Sequence, residues 1–145
     1  MGGSGLSGGH VLKNSISYEN KAKGIDSNSC PDIEIYDNIS FNNEGANIAL
    51  YTSNRADTAY KAEGNISFGT SDRAEMPDIL ELTGQDEKKI YTENNYFYQK
   101  ETKSYANSKG ETVSEEWFTS LDTSILPSRR EDGTIDLHGL LEKTK

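Results

Sequence analysis

The sequence predicts an all-β chain wound as a right-handed parallel β-helix, with an irregular C-terminal tail. Three observations carry this. A short strand-like word recurs: Ser15-Ile16-Ser17-Tyr18-Glu19-Asn20 returns as Asn38-Ile39-Ser40-Phe41-Asn42-Asn43, then as Asn65-Ile66-Ser67-Phe68, and more loosely as Asn95-Tyr96-Phe97-Tyr98. The starts lie 23, 27 and 30 residues apart, a drifting period suited to stacked coils with insertions gathered in loops. Each word also alternates in the strand manner, which predicts Ile16, Tyr18, Ile39, Phe41, Ile66 and Phe68 inward and the serines outward.

The remaining strands of each coil follow in order. Val11-Leu12-Lys13, Ile33-Glu34-Ile35-Tyr36 and Ala59-Tyr60-Lys61 precede the first three words. Gly24-Ile25-Asp26-Ser27-Asn28 and Asn47-Ile48-Ala49-Leu50-Tyr51 come nine residues after the first two words begin. Three short strands per coil let backbone hydrogen bonds run along the stack. Turn asparagines at equivalent positions, such as Asn20 and Asn43, are placed to stack into a ladder that satisfies buried polar groups. Coils are expected over residues 1–100, with an irregular insertion around 71–92 in which Met76–Leu82 is read as a short helix. Residues 101–145 form the tail, where Trp117-Phe118-Thr119-Ser120-Leu121 restores apolar character and is expected to pack back on the helix flank.

Composition agrees with a narrow core. Of 145 residues, 32% are hydrophobic, and the mean hydropathy is −0.79. Fifteen basic against 24 acidic residues leave a net charge of −9, which argues against nucleic acid as a partner because phosphate binding rests on basic side chains. No apolar run approaches the roughly 18–20 residues of a membrane span. Cys30 is the single cysteine, so neither an internal disulfide nor a cysteine-rich zinc site is available. The glycine-rich start, Met1-Gly2-Gly3-Ser4-Gly5, lacks the basic and apolar regions of a signal peptide. It reads as a flexible linker, an artificial leader or the middle of a larger protein.

Several motifs dissolve on inspection. Gly3-Ser4-Gly5-Leu6-Ser7-Gly8 spells a dinucleotide fingerprint, but no strand precedes it and no helix follows. The sequons at Asn38 and Asn65 are by-products of the repeat. His10 and His138 stand far apart, so histidine metal ligation is not expected. No Gly-x-Ser-x-Gly elbow marks a serine hydrolase. Asp26 is different: it sits within a strand word, facing outward beside Asn28, where outward rows floor a groove suited to extended chains. Lys21, Lys23, Arg55 and Lys61 are the basic residues near such a groove, and a net-negative protein needs either a local basic cluster or a bridging cation to hold an acidic polymer.

The run from Gly8-Gly9-His10-Val11-Leu12-Lys13-Asn14-Ser15 to Asn20, then Lys23-Gly24-Ile25-Asp26-Ser27-Asn28, resembles polysaccharide lyase family 9, pectate lyases built on a parallel β-helix. Ile35-Tyr36-Asp37-Asn38-Ile39-Ser40-Phe41 is similar to the next coil. Trp117-Phe118-Thr119-Ser120-Leu121-Asp122 and Arg129-Arg130-Glu131-Asp132-Gly133-Thr134 are similar to the family's segment after the helix. The resemblance implies β-elimination on polygalacturonate, with a lysine base removing the C5 proton and calcium bound to the uronate carboxylate. It implies secretion, and an acidic polysaccharide such as pectate as partner. The family's catalytic lysine falls just before the residue aligned with Met1, and its calcium-binding aspartates lie further upstream. The resemblance is thus to a C-terminal portion without catalytic residue or metal ligands, expected to be inactive alone and completed by the missing N-terminal part of the same helix. Asp26, Asn28, Tyr51 and Arg55 are the expected substrate-binding residues. The alternative is a non-catalytic carbohydrate-binding or adhesion module, in which Tyr51, Tyr60 and Tyr98 matter more than Asp26. A hydrolase would need two carboxylates facing one cleft, and Asp26 is the single plausible member.

Overall fold

Each coil begins with a corner that only certain residues make cheaply. Asn14, Asp37 and Gly64 occupy equivalent positions and all have positive φ, at 50°, 53° and 71°. Asn, Asp and Gly are the residue types that tolerate this left-handed conformation. Gly64 has a second reason to lack a side chain: a Cβ there would run into the Asp37 carboxylate. The computed structural model describes residues 8–52, 59–70 and 77–144.

Strands on either side of these corners stack in parallel. The chain runs β1 (Val11–Lys13), β2 (Ile16–Tyr18), β3 (Ile25–Asp26), β4 (Glu34–Tyr36), β5 (Ile39–Phe41), β6 (Ile48–Leu50), β7 (Lys61–Glu63), β8 (Ile66–Phe68) and β9 (Ile79–Leu80). The helix α1 (Gly84–Ile90) follows, then β10 (Phe97–Gln99) and β11 (Ser104–Ala106). The first sheet has the order β1-β4-β7, the second β2-β5-β8 and the third β3-β6-β9. Ile16, Ile39 and Ile66 stand in one register column, as coils stacked on the repeated word require. These three parallel sheets are the faces of a parallel β-helix.

Which face of the word points inward is the reverse of the sequence expectation. The column of Ser17, Ser40 and Ser67 faces the interior, and Phe97 continues it into the central core. Ser40 Oγ donates to the Asn47 carbonyl at 2.6 Å, and Ser67 Oγ donates to Asp78 at 2.9 Å. Ile39, Phe41, Ile66 and Phe68 lie on the outer face yet are buried. Phe41 stacks on Phe68 with centroids 5.9 Å apart, and Tyr105 of the β10–β11 hairpin meets Phe68 edge-on at 5.7 Å. The outer face is therefore a second apolar layer, and simple alternation does not tell the two layers apart. The central core is filled by the other sheets, by Ile25, Ile33, Ile35, Ile48, Leu50 and Tyr60.

Buried asparagines bind coil to coil. Asn38 Nδ2 donates to Asn65 Oδ1 at 2.9 Å, and Asn65 Nδ2 donates to Asn95 Oδ1 at 3.0 Å. Asn95 Nδ2 ends the ladder on the Ala62 and Ile90 carbonyls. The ladder expected at Asn20 and Asn43 also forms, with 2.7 Å between Asn20 Nδ2 and Asn43 Oδ1, and Asn43 passes the bond to Asn47.

Two expectations for the middle of the chain change. Ile79 and Leu80 do not form a helix; they form β9, paired in parallel with β6 through Ala49↔Ile79 and Leu50↔Leu80. An alternating pair of apolar residues opposite an open strand edge gains ladder hydrogen bonds that a single helical turn would forgo. Met76 lies outside the described residues. The helix comes later, at Gly84–Ile90, preceded by Thr83, whose Oγ1 bonds Asp86 Oδ2 at 2.8 Å, and it buries Ile90 in the core.

The chain divides into two units, one running to Val113 and one from Ser114. In the second, β12 (Ser128–Arg129) and β13 (Ile135–Asp136) form an antiparallel hairpin. Single bridges join Phe118 to Lys143 and Ser120 to Leu140.

Asn65 is fully buried, and both its side-chain atoms are engaged. Asn65→Ala leaves several buried groups without partners, and the unfolding free energy should drop by about 3 kcal/mol. Urea denaturation measures this; a loss under about 1 kcal/mol would show that the ladder is not a principal brace.

Candidate functional site

The third sheet carries the outward row singled out by sequence. Asp26, Ala49 and Ile79 share one register column across its three strands. Asp26 is fixed from two sides. Its Oδ1 accepts the Asn28 N–H at 2.8 Å, closing a tight turn in which Asn28 takes a φ of 50°. Its Oδ2 receives Lys23 Nζ at 3.1 Å. The same ammonium donates to Tyr51 Oη at 3.1 Å and lies 4.8 Å from the ring centroid. Tyr51 is in turn held by Ser27, a buried residue whose Oγ donates to the Tyr51 carbonyl at 2.8 Å and accepts its N–H at 3.0 Å.

The structure thus brings Asp26 and Tyr51 together around Lys23, one of the basic residues expected near the groove, and joins Asn28 to them through its backbone N–H on Asp26. Arg55 lies outside the described residues. Lys61 belongs to another face: it sits on the first sheet, paired with Glu34 at 2.7 Å. Tyr60 is no sugar platform, because it is wholly buried and burial pushes its hydroxyl up to about 12. The hydrogen bonds from Lys23 to Tyr51 and to Asp26 raise the lysine above its ordinary value, so it stays an ammonium at neutral pH. Such a group orients and neutralises an anion; it does not accept a proton from carbon.

Beyond the Asp26 row, at the β9 end of the third sheet, a groove of about 470 Å³ opens between Pro77–Leu80, Tyr91 and residues 98–101. Asp78 forms one wall. Its Oδ1 accepts the Ile48 N–H and Ser67 Oγ, both at 2.9 Å, and its Oδ2 accepts the Tyr98 N–H at 2.8 Å. The residue is partly exposed, but its carboxyl group is enclosed, and burial outweighs the three donors and lifts it to about 6. Sequence reasoning passed over Asp78 by placing it in a helix. Its signal was the lone acid between Pro77 and the apolar pair Ile79-Leu80.

In the second unit, Ser128 Oγ lies 2.8 Å from His138 Nε2, and His138 Nδ1 lies 3.3 Å from Asp136 Oδ1. The order matches nucleophile, base and orienting acid. Ser128 and His138 are exposed, however, and Arg130 takes Asp136 Oδ2 at 2.9 Å. The contacts tie the hairpin to the residues that follow it. Among the described residues no group of three or more His, Cys, Asp or Glu side chains is placed to hold a metal ion. No described helix is long and apolar enough to cross a membrane.

The fold is a parallel β-helix with the Lys23–Asp26–Tyr51 cluster at the β3 edge of its third sheet. The comparisons narrow this class. The chain is 31% identical over 147 aligned positions to pectate lyase L of Paenibacillus polymyxa, an alignment covering 100% of this chain and 28% of that protein. It is 34% identical over 70 residues to pectate lyase L of Thermoclostridium stercorarium, covering 48% of this chain and 6% of that protein. The chain is pectate lyase-like and spans a little over a quarter of the length of the first of these relatives. No protein-family model matches it, and no solved structure does.

The Asp78 carboxyl gives a pH signature. Its folded value lies above the ordinary 3.8, so the fold prefers the protonated form. Stability from this group is full below about pH 4 and is lost as pH rises through about 6. Unfolding free energy should fall by about 1–2 kcal/mol over that interval, less than a full two-unit shift would give because the residue is partly exposed. Asp78→Asn should flatten the dependence; denaturation series of both proteins at closely spaced pH values check it, and equal slopes would refute the assignment.

Proposed function

We propose that this chain is a substrate-holding section of a polygalacturonate-cleaving lyase. The carrying observation is the ammonium of Lys23, fixed between Asp26 and Tyr51 on the outward face of a parallel β-helix sheet. A cation so placed pairs with a uronate carboxylate, and the Tyr51 ring offers an apolar face to the sugar. The similarity to pectate lyase L supports the substrate class. Asp26 and Asn28 complete the row as hydrogen-bonding groups. The protein acts outside the cell in this reading, where pectate is found.

Cleavage by β-elimination removes the proton at C5 of a galacturonate and expels the oxygen at C4, leaving a C4–C5 double bond. In this reading the proton acceptor and calcium belong to parts of the complete lyase other than the described residues. Lys23, held protonated, supplies charge neutralisation rather than a base. The chain by itself therefore binds pectate without cleaving it. A non-catalytic carbohydrate-binding or adhesion module would use the same row. The two are separated by whether Tyr51→Ala alone, or Asp26→Ala as well, abolishes binding.

The purified chain mixed with polygalacturonate and calcium should show no rise in ultraviolet absorbance from unsaturated product. It should be retarded in gels containing pectate. Lys23→Ala should weaken retention by about 1 kcal/mol, roughly fivefold in affinity. Turnover by the isolated chain, or retention indifferent to Lys23 and Tyr51, would overturn the proposal.

A further inference from the structure

The groove at the β9 end differs in charge from the Lys23 row. It is lined by Glu101, by Lys100 and by Asp78, whose carboxyl group is turned onto the Ile48 and Tyr98 N–H groups and Ser67 Oγ. Tyr91, one of the more exposed large side chains at 40% of its surface, lines the groove with its ring edge-to-face on Phe97 at 6.2 Å. Tyr98 and Gln99 line it as well. Ile79, which also lines it, is two strands along the same column from Asp26, which at the usual strand spacing is about 10 Å. The groove and the Lys23 cluster are thus on one sheet, with the buried Ala49 between them in the column.

We propose that this groove is a subsite for an uncharged pyranose ring, distinct from the uronate-binding row and resting on the polysaccharide reading above. The argument is from complementarity. An aromatic side chain, exposed and braced by a neighbouring ring, is the usual platform for the C–H face of a sugar. Glu101 accepts, Lys100 donates and Gln99 does both, which suits hydroxyls. Two carboxylates against one ammonium repel a free uronate. Asp78, whose oxygens are already occupied by three donors, contributes charge and rigidity rather than a contact. The groove thus selects for a neutral position in an otherwise acidic polymer, either a methyl-esterified galacturonate or a neutral hexose.

The test is a titration of the full chain, followed by amide chemical shifts, with three oligosaccharides: fully methyl-esterified oligogalacturonate, a galactan oligosaccharide and unesterified oligogalacturonate. The uncharged ligands should shift the signals of Tyr91, Tyr98 and Lys100. Of the two, the one that shifts them at lower concentration identifies the source. Unesterified ligand should instead shift Lys23 and Tyr51. Tyr91→Ala should weaken uncharged binding by about tenfold, while Tyr91→Phe keeps it. Unchanged signals of Asn38 and Asn65 confirm that the variants are folded. If neither uncharged ligand moves the groove signals, or unesterified ligand moves them equally, the subsite is wrong even when the Lys23 row responds. If the groove responds to an uncharged ligand and the Lys23 row is silent to pectate, the subsite stands and the lyase reading fails.

Discussion

A backbone that turns three corners per coil presents peptide groups at every corner, and those facing inward are cut off from water. Each must find a partner or cost the fold a substantial part of its stability. The Asn38–Asn65–Asn95 ladder resolves this with one residue per coil: a carboxamide both donates and accepts, so each rung caps its own corner and binds the next. The sheets, the narrow core and the spacing of the outer face follow from keeping this register. Where the ladder ends, on carbonyls of Ala62 and Ile90, the coil pattern also ends and α1 and the β10–β11 hairpin take over.

The same rungs explain what could be read in advance. Words of fixed composition at a drifting period reveal coils because every coil solves the same corner problem with the same residue types. Facing could not be read that way. Alternation predicts two faces, and hydrophobicity normally says which is inside. Here serines line part of the interior and aromatics cover the exterior, since Ser40 and Ser67 fit beside asparagine side chains and the Phe41–Phe68 pair is roofed by Tyr105. Ile79 and Leu80 were misread for a related reason: two apolar residues are strand or helix according to which edge lies beside them.

For the site, outward polar residues within a strand word were legible, and Asp26, Asn28 and Tyr51 do converge. Lys23, already legible as a basic residue near the groove, reaches both partners because a long side chain three residues before Asp26 crosses to the next coil. Asp78, Tyr91 and Lys100 come from three segments whose meeting depends on the turn of the chain after β9, which no local pattern encodes. The third sheet consequently carries the Lys23–Asp26 ion pair toward β3 and the groove with Asp78 and Glu101 toward β9.

Stacking has one more consequence. Because every coil touches mainly the coil before and after it, the first unit behaves as a column of tiles rather than a sphere. Damage to one tile is felt by its neighbours and fades with distance, so opening should begin at the weakest end and travel. The side near β1, where Val11 is exposed and Leu12 only half covered, is the place for amide protons to exchange first, while those of Ile39 and Ile66 should be among the last.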